Sequence, residues 1–223
     1  MRHTALGIPT GKGLFTPLYE AIRTNPRFFH LNKSVKLAFR YWKVLINMTT
    51  NTSINVKQLV ARFPEYIGEC DACTYGLGGV WFQGPDLKEP IVWRLQLPKE
   101  ISDMVIFRKY LISISELEMA AHLVQFIILE YYVPLKYKSV GIFSDNTPTI
   151  SWATKLCARH SMIAGILLRT LALRNNITNA AHVVTSSIPG KEKIRVDNAS
   201  RWFSSLFNNK DLKLTDKTFF IPF

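Results

Sequence analysis

An aspartate inside a strand-like run is the feature that most constrains the fold. The stretch EYIGECDACTYGLGGVWF spans residues 65 to 82 and contains Asp71, which is followed by the three glycines of YGLGG. Residues 66 to 73 read as a strand, YGLGG as a turn whose glycines tolerate positive φ, and residues 80 to 83 as a returning strand. The sequence therefore predicts a tight β-hairpin that carries a carboxylate.

The segments after the hairpin alternate between strands and helices. In IVWRLQL, residues 91 to 97, apolar and polar residues alternate, so a third strand is predicted with Arg94 and Gln96 on the face away from the apolar side chains. The patterns that follow predict, in order, a helix over 116–131, a strand over 139–145, a short helix after Pro148, a helix over 162–174, a strand over 180–188 and a helix over 195–207. This order predicts an α/β fold with a mixed five-stranded sheet, three antiparallel strands followed by parallel strands, flanked by helices.

The chain changes character near residue 64. Before it, SVKLAFRYWKVLINM has apolar residues at helical spacing: Val35, Ala38, Phe39, Trp42, Leu45 and Ile46. A basic stripe runs along another face and consists of Lys33, Lys36, Arg40 and Lys43. The stripe is either an ordinary solvated face or a nucleic-acid contact, and both readings stay open. We expect a helical extension over 1–63, a globular domain over 64–207 and a C-terminal connector tail over 208–223.

The charge balance favours a polyanionic partner. Lysine and arginine number 28 against 16 acidic residues, so the formal net charge is +12. Nucleic acid is the expected partner, with an anionic membrane surface as the alternative. The apolar runs are too short to cross a bilayer and the first residues lack the pattern of a signal peptide, so we expect an intracellular protein, cytoplasmic or nuclear, with no membrane span. Three cysteines do not suggest a disulfide framework.

Four acidic residues stand at the ends or starts of four predicted elements. They are Asp71, Glu118, Asp145 and Asp197. Such positions can converge in a mixed sheet, and converging carboxylates repel one another unless cations such as Mg²⁺ neutralise them. Taken singly, each has an ordinary explanation as a turn or helix-capping residue. The capping pattern S-x-x-E fits both Ser113 with Glu116 and Ser115 with Glu118, and these two glutamates cannot share a helical face.

A zinc site is the competing interpretation of the polar residues. Cys70 and Cys73, with Cys157 and His160, make C-x-x-C and C-x-x-H patterns. Residues 70 and 73 of a continuous strand face opposite ways, whereas a zinc knuckle needs a turn between its cysteines. The spacing therefore disfavours zinc.

Four motifs taken together resemble a known family. YIGECDACTYGLGGVWF, SELEMAA, FSDNTPTISW and IPGKEKIRVDNASR occur in this order between about residues 64 and 202. They resemble the ribonuclease H domain that follows reverse transcriptase in retrotransposon polyproteins, with the tyrosine-recombinase (DIRS-like) group as the candidate type. By the same similarity, residues 14 to 47 look like the tail of the connection region that joins polymerase and ribonuclease H.

The resemblance implies an activity and a site. The implied reaction is endonucleolytic hydrolysis of the RNA strand of an RNA/DNA hybrid with two Mg²⁺ ions, for which Mn²⁺ is expected to substitute. Asp71 would bridge both ions, Asp197 would hold the ion that activates water, and Glu118 and Asp145 would hold the other; EMAA favours Glu118 over Glu116. A polymerase domain or subunit is a further implied partner. The candidate phosphate contacts are Lys191, Lys193, Arg195, Arg201, Lys36, Arg40 and Lys43.

The sequence departs from the family at two positions. Ser187 stands where the family commonly has a histidine ten residues before the last aspartate, and Lys193 stands where an asparagine is usual. His182 is five residues too early and would face the other side of its strand. The departures leave an alternative open, a catalytically weak or inactive module that binds nucleic acid or supports a polymerase.

Overall fold

The structure is a computed structural model that describes residues 9–24, 31–51, 63–107, 112–158, 161–187, 197, 199–201 and 219–220. Within these ranges the chain forms six strands: β1 Tyr66–Ala72, β2 Gly76–Gln83, β3 Ile91–Gln96, β4 Ser139–Ser144, β5 His182–Ser187 and β6 Phe219–Phe220. It also forms a 3-10 helix at Pro9–Phe15 and six α-helices: α1 Thr16–Thr24, α2 Lys33–Asn51, α3 Lys99–Ile106, α4 Ile114–Tyr132, α5 Thr147–Lys155 and α6 Met162–Thr178.

The strands form one mixed sheet in the order β5-β4-β1-β2-β3-β6. β1, β2 and β3 are antiparallel neighbours, whereas β4 is parallel to both β1 and β5. The first five strands therefore have the order and the senses of a ribonuclease H-like sheet, and the predicted fold class is confirmed. The two-residue β6, parallel to β3 at the sheet edge, and the helix α3 were not predicted.

Helix α4 covers the centre of the sheet. It packs on β1 and β2, and α6 packs on its outer side. Its buried residues occur at nearly every position from Glu116 to Leu129, because one side of the helix faces the strands and the other faces α6. α4 begins after Ser113 and ends before Pro134, as the sequence indicated.

The core between α4 and the hairpin is built around a buried glutamine. Gln125 is fully buried, and its Nε2 donates to the Val80 carbonyl at 3.0 Å, while its Oε1 accepts from the Trp93 indole. The Trp81 indole donates to the Gln125 carbonyl at 2.9 Å. A Cβ at Gly79 would collide with the Gln125 amide, so the glycine gives this side chain its space. The tryptophan at 81 is thus a core residue.

The N-terminal helices pack against α6 through the 3-10 helix, which also contacts α1 and α2. The buried face of α2 is narrower than its apolar spacing, because the helix packs mainly on these short elements and on Leu173 of α6. Val35, Ala38, Trp42 and Leu45 are buried, whereas Phe39 and Ile46 are exposed at 36% and 40%. Helical spacing alone therefore does not tell these two residues from the buried ones.

No helix in the described part of the chain has both the length and the apolar character needed to cross a bilayer. The division of the chain at residues 63 and 207 stays a prediction.

Candidate metal centre

Two of the predicted acidic residues lie level with each other on adjacent strands. Asp71 is on β1, and Asp145 directly follows β4. In the parallel register of these strands Glu69 is opposite Phe143, so two residues further along each chain Asp71 comes opposite Asp145. The pairing of β1 with β4 therefore brings together two carboxylates that are 74 residues apart in the sequence.

Glu118 reaches the same place from α4. Its Oε1 accepts a hydrogen bond from the Ala72 amide at 3.2 Å, and its Oε2 accepts from the Ser144 hydroxyl at 3.5 Å. These donors belong to the last residues of β1 and β4, so the carboxylate bridges the two strand ends. Glu118 is only 4% exposed.

The three carboxylates form a group with room for a cation. One oxygen each from Asp71, Glu118 and Asp145 lie within 4.8 Å of one another. Asp71 and Glu118 are buried and Asp145 is exposed, so the group opens to solvent on the Asp145 side. The donors are all carboxylate oxygens, which hard divalent cations such as Mg²⁺ prefer. The residues present therefore fit the metal that the sequence resemblance implied.

Glu116 has a different task. Its Oε2 accepts from the Ser113 amide at 2.5 Å, and its Oε1 accepts from the Ser161 hydroxyl at 2.7 Å. The first contact is the capping box that starts α4, and the second ties α4 to the N-cap of α6. Of the two glutamates left open by the sequence, the structure brings Glu118 to the other carboxylates.

Asp197 lies outside the group of three. It is half-buried, and its Oδ2 pairs with the Arg201 guanidinium at 3.3 Å. Its main-chain oxygen accepts from the Ser200 hydroxyl at 3.1 Å, and the same hydroxyl lies 2.5 Å from Asp71 Oδ2. Ser200 thus connects the turn that carries Asp197 to the central carboxylate.

Ser200 is fully buried and was not singled out by the sequence analysis. Its position three residues after Asp197, one helical turn away, was the available signal. A serine among apolar and basic residues gives no sign of its partner, because that partner lies on a distant strand.

The glycines after Asp71 act differently from the prediction. Gly76, Gly78 and Gly79 all lie within β2, and no described glycine has a positive φ. A Cβ at Gly78, which pairs with Asp71, would lie 2.5 Å from the Ser200 nitrogen. Gly78 therefore allows the Ser200 turn to approach the sheet beside Asp71, and the expectation that it serves a tight turn is wrong.

The predicted phosphate contacts fall into three groups. Arg201 is exposed and lies beside Asp197. Lys36, Arg40 and Lys43 are exposed on α2, which packs on α1 and the 3-10 helix and not on the strands that carry the carboxylates. The third group, Lys191, Lys193 and Arg195, lies outside the described residues.

Ser187, where the family commonly has histidine, is exposed at the end of β5 and pairs with Ser144 of β4. Ser187 therefore lies at the same end of the parallel strands as the carboxylates. The side chain of His182 is outside the described residues.

The described cysteines have separate surroundings. Cys70 is fully buried, with its Sγ 3.9 Å from the Phe143 carbonyl oxygen, while the Cys73 Sγ lies 3.0 Å from the Ser200 carbonyl oxygen. Burial raises the pKa of the Cys73 thiol. Cys157 contacts Thr16. His160, the fourth member of the zinc pattern, lies outside the described residues.

Comparisons with known proteins include a structural likeness. No family model matches the chain, and no curated protein matches it. The fold is similar to the crystal structure of RNase H1 from the halophilic archaeon Halobacterium salinarum NRC-1, with 11% sequence identity and a TM-score of 0.44 over 60% of this chain and 92% of that chain. Because the TM-score is low, the fold assignment rests on the strand order and senses described above.

Proposed function

We propose that this protein is a metal-dependent endoribonuclease that hydrolyses the RNA strand of RNA/DNA hybrids. The observation that carries the proposal is the convergence of Asp71, Glu118 and Asp145, from β1, α4 and the end of β4. They meet at the carboxyl ends of two neighbouring strands of a ribonuclease H-like sheet. Three carboxylates gathered from distant parts of the chain are costly to hold together unless a cation joins them.

Asp71, Glu118 and Asp145 would hold Mg²⁺, and Asp197 would complete the set for a second ion. Bound divalent ions activate a water molecule and stabilise the leaving oxygen in phosphodiester hydrolysis. Mn²⁺ has the same preference for oxygen ligands and is expected to substitute.

The chain positions the carboxylates through hydrogen bonds. The Ala72 amide and the Ser144 hydroxyl hold the two oxygens of Glu118, and the Ser200 hydroxyl holds Asp71 Oδ2. Since these donors engage buried carboxylates, they restrict the rotamers of the ligands before the metal binds. The exposed Asp145 marks the side from which the substrate backbone approaches.

The net charge of +12 suits a polyanionic substrate. Arg201 beside the site, together with Lys191, Lys193 and Arg195, would contact phosphates, and Lys36, Arg40 and Lys43 would form a second contact further away. Contacts to the 2′-hydroxyl groups would distinguish the RNA strand, so sequence preference should be weak.

We further propose that the chain belongs to a retrotransposon reverse transcriptase polyprotein, of the DIRS-like type, and works with a polymerase domain or subunit. The support is the order of four motifs over residues 64 to 202.

A weak or inactive nucleic-acid-binding module is the second candidate. Two observations favour it: Ser187 stands where the family commonly has histidine, and Asp197 pairs with Arg201 instead of joining the other three carboxylates.

A cleavage assay separates the two candidates. The purified chain would be incubated with a labelled RNA/DNA hybrid in Mg²⁺, Mn²⁺ or chelator, with duplex DNA and single-stranded RNA as parallel substrates. The controls are Asp71→Asn and Asp86→Asn, the latter changing an aspartate whose contact is the Tyr66 hydroxyl. We expect metal-dependent cleavage of the hybrid that Asp71→Asn abolishes and Asp86→Asn retains. Binding of hybrid without cleavage in either metal would instead support the inactive module.

A further inference from the structure

An apolar groove runs between α2 and α6. Its volume is about 290 Å³, and it is lined by Leu14, Leu37, Tyr41, Leu45, Ile166, Arg169, Thr170 and Leu173. The residues from α6 are spaced three and four apart, so they form one continuous face of that helix.

α2 presents a second apolar stripe beside its buried one. Leu37, Tyr41 and Val44 are spaced four and three residues apart, and their exposed fractions are 40%, 36% and 51%. Ile166 on the opposite wall is 48% exposed. Two helices with facing apolar stripes across a concave groove form the geometry that receives a third helix.

The groove has a basic border. Neither α2 nor α6 contains an aspartate or glutamate. Arg169 lines the groove itself, and Arg40 is next to the exposed stripe of α2 on the helix surface. The charged side chains that the two helices place next to this apolar surface are therefore positive.

We propose that the groove binds an amphipathic helix of another protein, with apolar residues at i, i+3, i+4 and i+7 and acidic residues flanking them. The apolar residues would cover Leu37, Tyr41 and Ile166, and the acidic residues would face Arg40 and Arg169. A second copy of this chain is a poor occupant, because it would bring an equally basic face to a partner of net charge +12. The concave shape suits a helix better than a flat lipid surface.

Docking in the groove leaves the proposed nuclease site open. The carboxylates belong to β1, α4 and the end of β4. Lys36 and Lys43 directly precede Leu37 and Val44, and are therefore about 100° further around α2, away from the groove. The bound helix would take Arg40 from the proposed nucleic-acid contact on α2 and leave Lys36 and Lys43 available, and the docking proposal does not depend on nuclease activity.

A peptide-binding measurement tests the proposal. The probe is a fluorescein-labelled amphipathic peptide of about 20 residues, long enough to become helical on binding, with leucines on one face and glutamates at its borders. Its counterpart carries lysines in place of the glutamates. Fluorescence anisotropy would be measured with the full chain and with Ile166→Glu. The matched control is Ile177→Glu, which changes an isoleucine of α6 that is 67% exposed and does not line the groove.

We expect the acidic peptide to bind, and the basic peptide to bind at least about tenfold more weakly. Ile166→Glu should lower the affinity for the acidic peptide by at least about tenfold, since it places a charge in the apolar contact. Ile177→Glu should bind like the original chain, and circular dichroism should show that both variants are folded. Equal binding of the two peptides, or equal binding by Ile166→Glu, would overturn the proposal. So would Ile166-dependent binding to phosphatidylcholine–phosphatidylserine vesicles, or Ile166-dependent self-association in sedimentation, without binding of the acidic peptide.

Discussion

Polar side chains are buried at two places where α4 packs on the sheet, and the two places differ in how those groups are partnered. Over the middle of the strands, both ends of the Gln125 amide meet neutral partners, the Trp93 indole and the Val80 carbonyl. At the carboxyl ends of β1 and β4, Asp71 and Glu118 are also buried, but one oxygen of each lies within 4.8 Å of the other and of an Asp145 oxygen. Each group can be satisfied within the first arrangement, whereas the second concentrates negative charge.

The difference separates stability from function. A buried amide with neutral partners contributes to a unique core and requires nothing from outside the chain. Buried carboxylates that face one another raise the free energy of the folded state until a cation binds. The core arrangement therefore stabilises the sheet, and the arrangement at the strand ends gives up part of that stability to hold the ligands of the proposed metal centre together.

The largest expected effect distinguishes Glu118 from Glu116, which lie two residues apart on α4 and have different roles. Glu118→Gln removes a ligand of the proposed metal centre and should reduce hybrid cleavage at least about a hundredfold, because ligand charge contributes several kcal/mol to this chemistry. Glu116→Gln weakens the start of α4 and the contact with the Ser161 hydroxyl at the N-cap of α6, so it should retain cleavage while lowering the free energy of unfolding by about 1–2 kcal/mol. The cleavage rate and the free energy of unfolding in urea would be measured for both variants. Equal activity in the two variants would contradict the assignment of Glu118.

The core network gives the next effect. Gln125→Leu leaves the Trp93 indole and the Val80 carbonyl without their partner, and each unsatisfied group costs about 1–3 kcal/mol. We expect the free energy of unfolding to fall by roughly 2–5 kcal/mol. The control is Gln83→Leu, at the exposed end of β2, which should change stability little. A urea midpoint shared by the two variants would show that the network contributes nothing measurable.

A buried histidine of α4 predicts a pH dependence. His122 is fully buried, with its Nε2 3.3 Å from the Thr185 hydroxyl, and burial lowers its pKa to about 4. Its ordinary pKa is 6.5, so between these values the unfolded state binds the proton and the folded state does not. Stability is therefore full above pH 6.5 and falls as the pH decreases, by about 2 kcal/mol at pH 5. Urea unfolding at pH 7 and pH 5 measures the change in the free energy of unfolding. His122→Gln should lose the part of this pH dependence that comes from the histidine. An unchanged pH dependence in His122→Gln would refute the prediction.

The smallest effect concerns the Ser200 hydroxyl, which connects Asp71 to the turn that carries Asp197. Ser200→Ala removes the donor to Asp71 Oδ2 and should lower cleavage about tenfold, the usual order for a group that orients a metal ligand. The metal concentration for half-maximal cleavage should rise with it. Ser102→Ala, which changes another buried serine on α3, is the control and should leave both quantities unchanged. A fall in stability with unchanged metal dependence would assign Ser200 a purely structural role.

The amino-acid pattern was enough to predict the order of β1 to β5 and of the helices α4, α5 and α6 among them, together with the four acidic candidates, but not α3 or β6. Alternation in IVWRLQL, the apolar faces of the helices and the positions of Pro134 and Pro148 are local signals, because periodicity and backbone restriction act over a few residues. The same signals left Glu116 and Glu118 undecided, since both fit a capping box and only the neighbours from α6 and β1 separate them.

Other features depended on contacts between distant residues. Gly78 resembles a turn residue until the Ser200 turn is seen against it, and Phe39 shares the helical spacing of the buried residues of α2 although it is exposed. The sequence by itself determined which residues could serve as strands, helices and metal ligands. Only the tertiary structure decided that Asp71, Glu118 and Asp145 meet, because strand register and helix packing set distances that no local pattern encodes.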